Sequence, residues 1–163
     1  MTVVCDASPL IFLAKLKRLE LIPRILGPEV VVLECVAREI TDAAKAGEVE
    51  RARLETFLAS ATVLPFTGSP LPSRRLSTCD CQTLTHAIRH RPDYLLVDER
   101  LMRRIANEEG VVTIGTLGLL AAAVSQGHLD AGAAVHDLDQ AVSKHGFRIS
   151  IALYQRFRRE MDA

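Results

Sequence analysis

Residues 2–16 read TVVCDASPLIFLAKL, and residues 94–106 read YLLVDERLMRRIA. In each, a short apolar run stops at an aspartate and a helical pattern follows. Residues 2–5 predict a strand. Ser8-Pro9 reads as an N-cap followed by proline at the first helical position, opening a helix over 9–16. The same alternation extends outward from both stretches. Strands are expected at 29–33 (EVVVL), 62–66 (TVLPF), 94–97 and 111–114 (VVTI). Helices are expected at 18–26, 34–45, 48–59, 78–90, 99–109, 116–126, 131–145 and 151–161. The stretch 67–77 (TGSPLPSRRLS) reads as a loop. Continuous apolar strands alternating with helices imply βαβ units, with both faces of a parallel sheet covered. The expected fold is α/β: one three-layer α/β/α domain over residues 1–163, with a short parallel sheet of four or five strands.

The 163 residues match one domain and suffice to bury roughly 70% of the unfolded surface. Lys+Arg and Asp+Glu are both 20, so the formal net charge is zero. That balance argues against a polybasic nucleic-acid coat and against an acidic tail. It leaves room for a local field, because 16 of the 20 basic residues are Arg, the better bidentate partner for phosphate. No apolar run reaches the roughly 18–20 residues that span a bilayer. The apolar start is interrupted by Asp6 and lacks a preceding basic segment, so no secretory signal is expected. A cytoplasmic chain follows, with Cys5, Cys35, Cys79 and Cys81 expected as reduced thiols. Cys79-x-Cys81 has neither zinc-site spacing nor a second Cys/His pair nearby.

In open α/β sheets, ligand sites form outside the carboxyl ends of the strands. Asp6 follows the first strand, Asp98 follows the strand at 94–97, and Asp80 opens the helix before it. A helix from 80 to 90 descends about 16 Å. Four strand residues then climb back about 13 Å. Asp98 therefore returns to the edge where Asp80 began. Glu39, two turns into the helix after 29–33, can point over the same edge. Four carboxylates gathered there would need a cation. Hard oxygen donors select Mg²⁺ or Mn²⁺ over Zn²⁺, and such ions serve phosphodiester hydrolysis. Plainer readings stand beside this one. Asp98 can N-cap the next helix, Asp80 can complete a capping box with Ser77, and Glu39 can be a solvated helix acid.

These residues carry a family likeness along nearly the whole chain. VVCDASPLIFLAKL, VVLECVAREI, STCDCQTLTHAI and YLLVDERLMRRIA resemble, in order, four motifs of the PIN domain, the ribonuclease fold of VapC-type bacterial toxins. The resemblance implies that Asp6, Glu39, Asp80 and Asp98 are catalytic and hold Mg²⁺ or Mn²⁺. Ser8 would support the first acid, and Glu99 is a candidate helper. DERLMRRIA, VVTIGTLGLLAAAVSQG and GFRIS further resemble an uncharacterised PIN-like subgroup. The chain departs from the pattern in two places. Leu101 stands where many members carry a further acid, which weakens a second metal position. Cys79-Asp80 replaces a Gly-Glu pair common in the subgroup.

Between residues 73 and 104 lie Arg74, Arg75, Arg89, Arg91, Arg100, Arg103 and Arg104, opposed by Asp80, Asp93, Asp98 and Glu99. Some of these arginines are expected to contact an RNA backbone, with Arg74, Arg75 and Arg103 first. With seven aromatic residues in the chain, base stacking has little support. The leading expectation is a Mg²⁺/Mn²⁺-dependent endoribonuclease, the toxin of a toxin–antitoxin pair, with a small antitoxin protein as partner. Apolar Leu10, Ile11 and Leu13 are expected to form a homodimer face, and helix 116–126 to be core. The competing expectation is a non-catalytic PIN-like module that binds RNA or protein. A structure-specific DNA nuclease is a third.

Overall fold

The computed structural model describes residues 1–42 and 47–163. Among these, the strands are β1 (Thr2–Cys5), β2 (Glu29–Leu33), β3 (Thr62–Leu64), β4 (Tyr94–Leu96) and β5 (Thr113–Ile114). They form one parallel sheet in the order β3-β2-β1-β4-β5. The helices are α1 (Ala7–Leu16), α2 (Leu21–Leu26), α3 (Glu34–Thr41), α4 (Glu48–Ser60), α5 (Thr78–His90), α6 (Arg100–Glu108), α7 (Thr116–Ser125), α8 (Ala131–Lys144) and α9 (Ile151–Asp162).

The chain builds the sheet one way, from β1 through β2 to β3. It then crosses back over β1 to add β4 and β5 on the other side. Right-handed crossovers place the helices of the two halves on opposite faces. The alternation of side chains shows it. Val3, Cys5, Val30 and Val32 pack with Leu10 and Leu13 of α1, Val36 of α3 and Leu119 of α7. Val4, Leu95 and Val97 face the other way, onto Leu84 of α5 and Met102 of α6. Each fully buried Leu or Val contributes about 1.5–3 kcal/mol. The reversal of direction between β1 and β4 makes a switch point, where the carboxyl ends of neighbouring strands splay helices to opposite sides.

Several boundaries differ from the sequence reading. Helix α1 begins at Ala7, with Asp6 in an extended conformation as its N-cap. Ser8 therefore lies inside the first turn and is exposed. Pro9 is tolerated there because first-turn N–H groups lack helical partners anyway. Helix α2 begins at Leu21 rather than 18. The reason is Lys17, whose left-handed backbone (φ 60) ends α1 while the Arg18 N–H bonds the Leu13 carbonyl at 2.8 Å. Strand β3 stops before Pro65, which cannot donate to a ladder. The helix expected over 34–45 ends at Thr41, and positions 43–46 lie outside the described residues.

Two expectations fail on proximity. Leu10 and Leu13 are fully buried, and Ile11 is packed against the same core. Leu10 and Leu13, read as part of a homodimer face, belong to the domain's own interior, while Ile11 is partly buried against it. The four cysteines are not all thiols. Cys35 in the first turn of α3 and Cys79 in the first turn of α5 form a disulfide, with Cα atoms 5.7 Å apart. Cys5 and Cys81 are free and buried. Redox compartment is a prior on cysteine state, and it carries no knowledge of which two sulfurs the fold brings together.

Candidate functional site

Asp6 sits where β1 ends. Its backbone N–H still belongs to the sheet, donating to the Leu96 carbonyl at 2.9 Å. That bond sets β1 against β4, so Asp98, two residues beyond Leu96, leaves the sheet beside Asp6. Asp6 is 4% exposed, and its Oδ1 has no hydrogen-bond partner. Burial is the main reason its carboxyl is pushed up from 3.8 to about 7. The charge of Asp80 adds to the rise, the Ala7 backbone N–H offsets part of it, and Glu39 and Asp98 add smaller amounts. The other three sequence-identified acids therefore all act on Asp6.

Asp98 is better supported. Its Oδ1 accepts from the Thr116 N–H and its Oδ2 from the Thr116 hydroxyl, both at 2.7 Å. Burial raises its carboxyl, while Thr116 and the Arg103 guanidinium lower it. Gly115, directly before α7, makes this approach possible. A Cβ there would lie 2.8 Å from Asp98 Oδ1. Asp98 does not cap the following helix. Glu99 does, accepting the Met102 N–H at 2.6 Å, so this acid is turned onto its own helix.

Asp80 and Ser77 form the capping box, with the Asp80 N–H donating to Ser77 Oγ at 3.1 Å and the Ser77 N–H to Asp80 Oδ2 at 3.3 Å. The cap places Asp80 in the first turn of α5 and leaves it half-buried near Asp6. Glu39, half-buried on α3, is near enough for its charge to act on Asp6. Cys35 lies one turn before Glu39, and Cys79 immediately precedes Asp80. The disulfide therefore ties together the two helices that bring these acids to the site.

Oxygen-only donors and the orphaned, buried Asp6 Oδ1 fit a hard divalent cation better than any neutral ligand. As the side chains stand, no group of three or more His, Cys, Asp or Glu residues among the described residues is close enough to hold a metal ion.

The arginines divide. Arg89 donates to the Thr67 and Ser69 carbonyls at 3.0 and 2.9 Å and lies over the Phe66 ring, so it fastens the 65–77 loop. Arg91 donates to the Glu109 carbonyl. Arg104 pairs with Glu108 at 3.9 Å on the surface. Arg74 and Arg75 are exposed on the loop and do not line the cavity beside Asp98. Arg100 and Arg103 do line it, together with Arg148. A larger cavity of about 720 Å³ lies between α2, α4 and the start of β2, at the opposite edge of the sheet from the acids.

A family model described as a PIN domain matches residues 2–163. The chain belongs to the PIN domain family. A solved PilT N-terminus domain protein from the hyperthermophilic archaeon Sulfolobus solfataricus superposes with a TM-score of 0.55 at 15% identity. The match covers 76% of this chain and 94% of that one. At such identity the likeness speaks for the fold alone. No curated protein matches the chain. PIN domains are generally nucleases and generally use divalent metals. No helix among the described residues of this PIN domain is long and apolar enough to cross a membrane.

Thr116, Gly115 and Arg148 were missed by the sequence reading. The pair Gly115-Thr116 after the last strand carried a weak signal, since a glycine before a helix often marks close approach. Arg148 lies within GFRIS, a stretch that resembles the PIN-like subgroup, but only the fold brings residue 148 to the cavity beside Asp98.

Proposed function

We propose that this PIN domain is a Mg²⁺- or Mn²⁺-dependent endoribonuclease that hydrolyses RNA phosphodiester bonds. The observation that carries the reading is the buried Asp6 carboxyl, orphaned at Oδ1 and raised to about 7 among three other acids at the switch point. Such a constellation is costly for stability and has an evident use in binding a cation. Asp6, Asp80, Asp98 and Glu39 would hold the ion, with Thr116 keeping Asp98 in place. A bound divalent ion would acidify a water and screen phosphate charge. Hydrolysis joins a water oxygen to phosphorus as the bond to the leaving nucleoside oxygen breaks.

The finer assignment is the toxin of a toxin–antitoxin pair, with a small protein antitoxin as partner; it rests on the motif likeness. The test is cleavage of end-labelled single-stranded RNA by the purified chain. Cleavage with Mn²⁺ that stops with EDTA, and is absent in Asp6→Asn, is expected. Equal cleavage in EDTA would overturn the mechanism. One observation favours a second reading, a module that binds without cutting: no three acid side chains among the described residues stand within reach of one ion. RNA binding without any Mn²⁺-dependent cleavage would select it.

A further inference from the structure

The cavity beside Asp98 measures about 400 Å³, inside the roughly 300–1,000 Å³ range of small-ligand sites. Its walls come from three distant parts of the chain. Arg100 and Arg103 come from α6, Leu117 from the start of α7, and Arg148, Ile149 and Leu153 from the α8–α9 connection and the first turn of α9. Three guanidinium groups face one carboxylate, and that carboxylate already accepts two hydrogen bonds from Thr116. Arg103 Nη1 and Asp98 Oδ1 both close over Gly115, 3.4 and 2.8 Å from where a Cβ there would lie. Arg100 and Arg148 are exposed and have no ion pair among the described residues. The cavity thus joins unspent positive charge to an aliphatic wall.

We propose that this cavity is a nucleotide subsite, holding one nucleotide of the RNA strand next to the bond that is cut. Its phosphate sits on Arg148 and Arg100, with Arg103 bridging toward Asp98. Its sugar and base lie against Leu117, Ile149 and Leu153. Guanidinium forks suit phosphate oxygens, and the aliphatic wall accepts any base. Phe147 lines the cavity too, but its ring is engaged edge-on with Phe12 at 4.9 Å. Base identity is therefore read weakly here. The assignment rests on the nuclease reading for the polymer involved, while the nucleotide site itself can be tested without cleavage.

The experiment measures binding of a fluorescein-labelled five-nucleotide RNA to the full chain in EDTA at low salt, alongside NMR shifts on adding adenosine 5′-monophosphate. Arg148→Glu and Arg100→Glu are each expected to weaken RNA binding by about tenfold and to flatten its salt dependence. Arg104→Glu, an exposed control outside the cavity, is expected to bind as the parent does. The mononucleotide should shift amides at 115–118 and 147–153. Unchanged RNA affinity in both cavity variants, no mononucleotide binding at millimolar concentration, or shifts confined elsewhere would each overturn the subsite. Binding as expected with no metal-dependent cleavage would instead sink the nuclease reading and leave the subsite standing.

Discussion

Replacing Asp6 by Asn should stabilise the metal-free protein above neutral pH. Asp6 is 4% exposed, and its carboxyl is raised to about 7 by burial first and by Asp80 next. In the unfolded chain it titrates near 3.8. The folded state therefore keeps a proton between those values that the unfolded state has released. For an acid raised in this way, the favourable contribution is complete below pH 4 and is lost as pH rises through 7. The displacement from 3.8 to about 7 corresponds to a ceiling of roughly 4 kcal/mol, at 1.36 kcal/mol per tenfold step. Asparagine keeps the shape of the protonated acid and never ionises. In EDTA, the wild-type urea midpoint should fall between pH 5 and pH 8.5, while the Asp6→Asn midpoint stays above it at the higher pH. With m near 2 kcal/mol/M, the gap approaches about 2 M urea at pH 8.5, shrinks to less than about half of that at pH 5, and closes only below about pH 4. Adding Mn²⁺ should narrow the gap by stabilising the wild type alone. A difference between the two proteins that is the same at pH 5 and pH 8.5 would refute the reasoning.

Thr116→Val keeps the shape of the side chain but removes the hydroxyl that donates to Asp98 Oδ2. It should cost about 1–2 kcal/mol of stability and raise the Asp98 carboxyl further, read by carbon-detected NMR titration; an unmoved Asp98 titration would discount the clamp. Under non-reducing, denaturing conditions, thiol labelling should count two cysteines, Cys5 and Cys81. Reduction should then expose two more and cost about 4 kcal/mol, from the 44-position span that the Cys35–Cys79 bond closes. Four labelled thiols before reduction would remove the tie between α3 and α5.

Much of the fold was legible because its signals are local. EVVVL and TVVC are short, apolar and β-branched, and α5 ran over 78–90 as expected because Ser77-x-x-Asp80 writes its own start. Boundaries were missed where a single backbone conformation decided them, as with left-handed Lys17 and extended Asp6. Among the candidate residues, strand-end position picked out Asp6 and Asp98, and helix–strand arithmetic brought Asp80 to them. Arg74 and Arg75 were chosen from loop composition, which says nothing about the direction in which a loop faces. The arginine-rich count hid a division of labour: Arg89 and Arg91 bond backbone carbonyls, whereas Arg100 and Arg103 line the cavity.

By itself, the sequence determined the alternation of strands and helices, the parallel sheet, and four acids at the ends of elements. Those are consequences of periodicity, capping and chain length, which act over a few residues at a time. Only the tertiary structure decided which side chains meet. It put Thr116 on Asp98, Arg148 beside Arg103, Cys35 against Cys79, and Leu10 and Leu13 inside the core. These contacts join residues from 18 positions apart to well over that distance along the chain. They arise where β1 and β4 splay their helices apart, a geometry that no local pattern encodes.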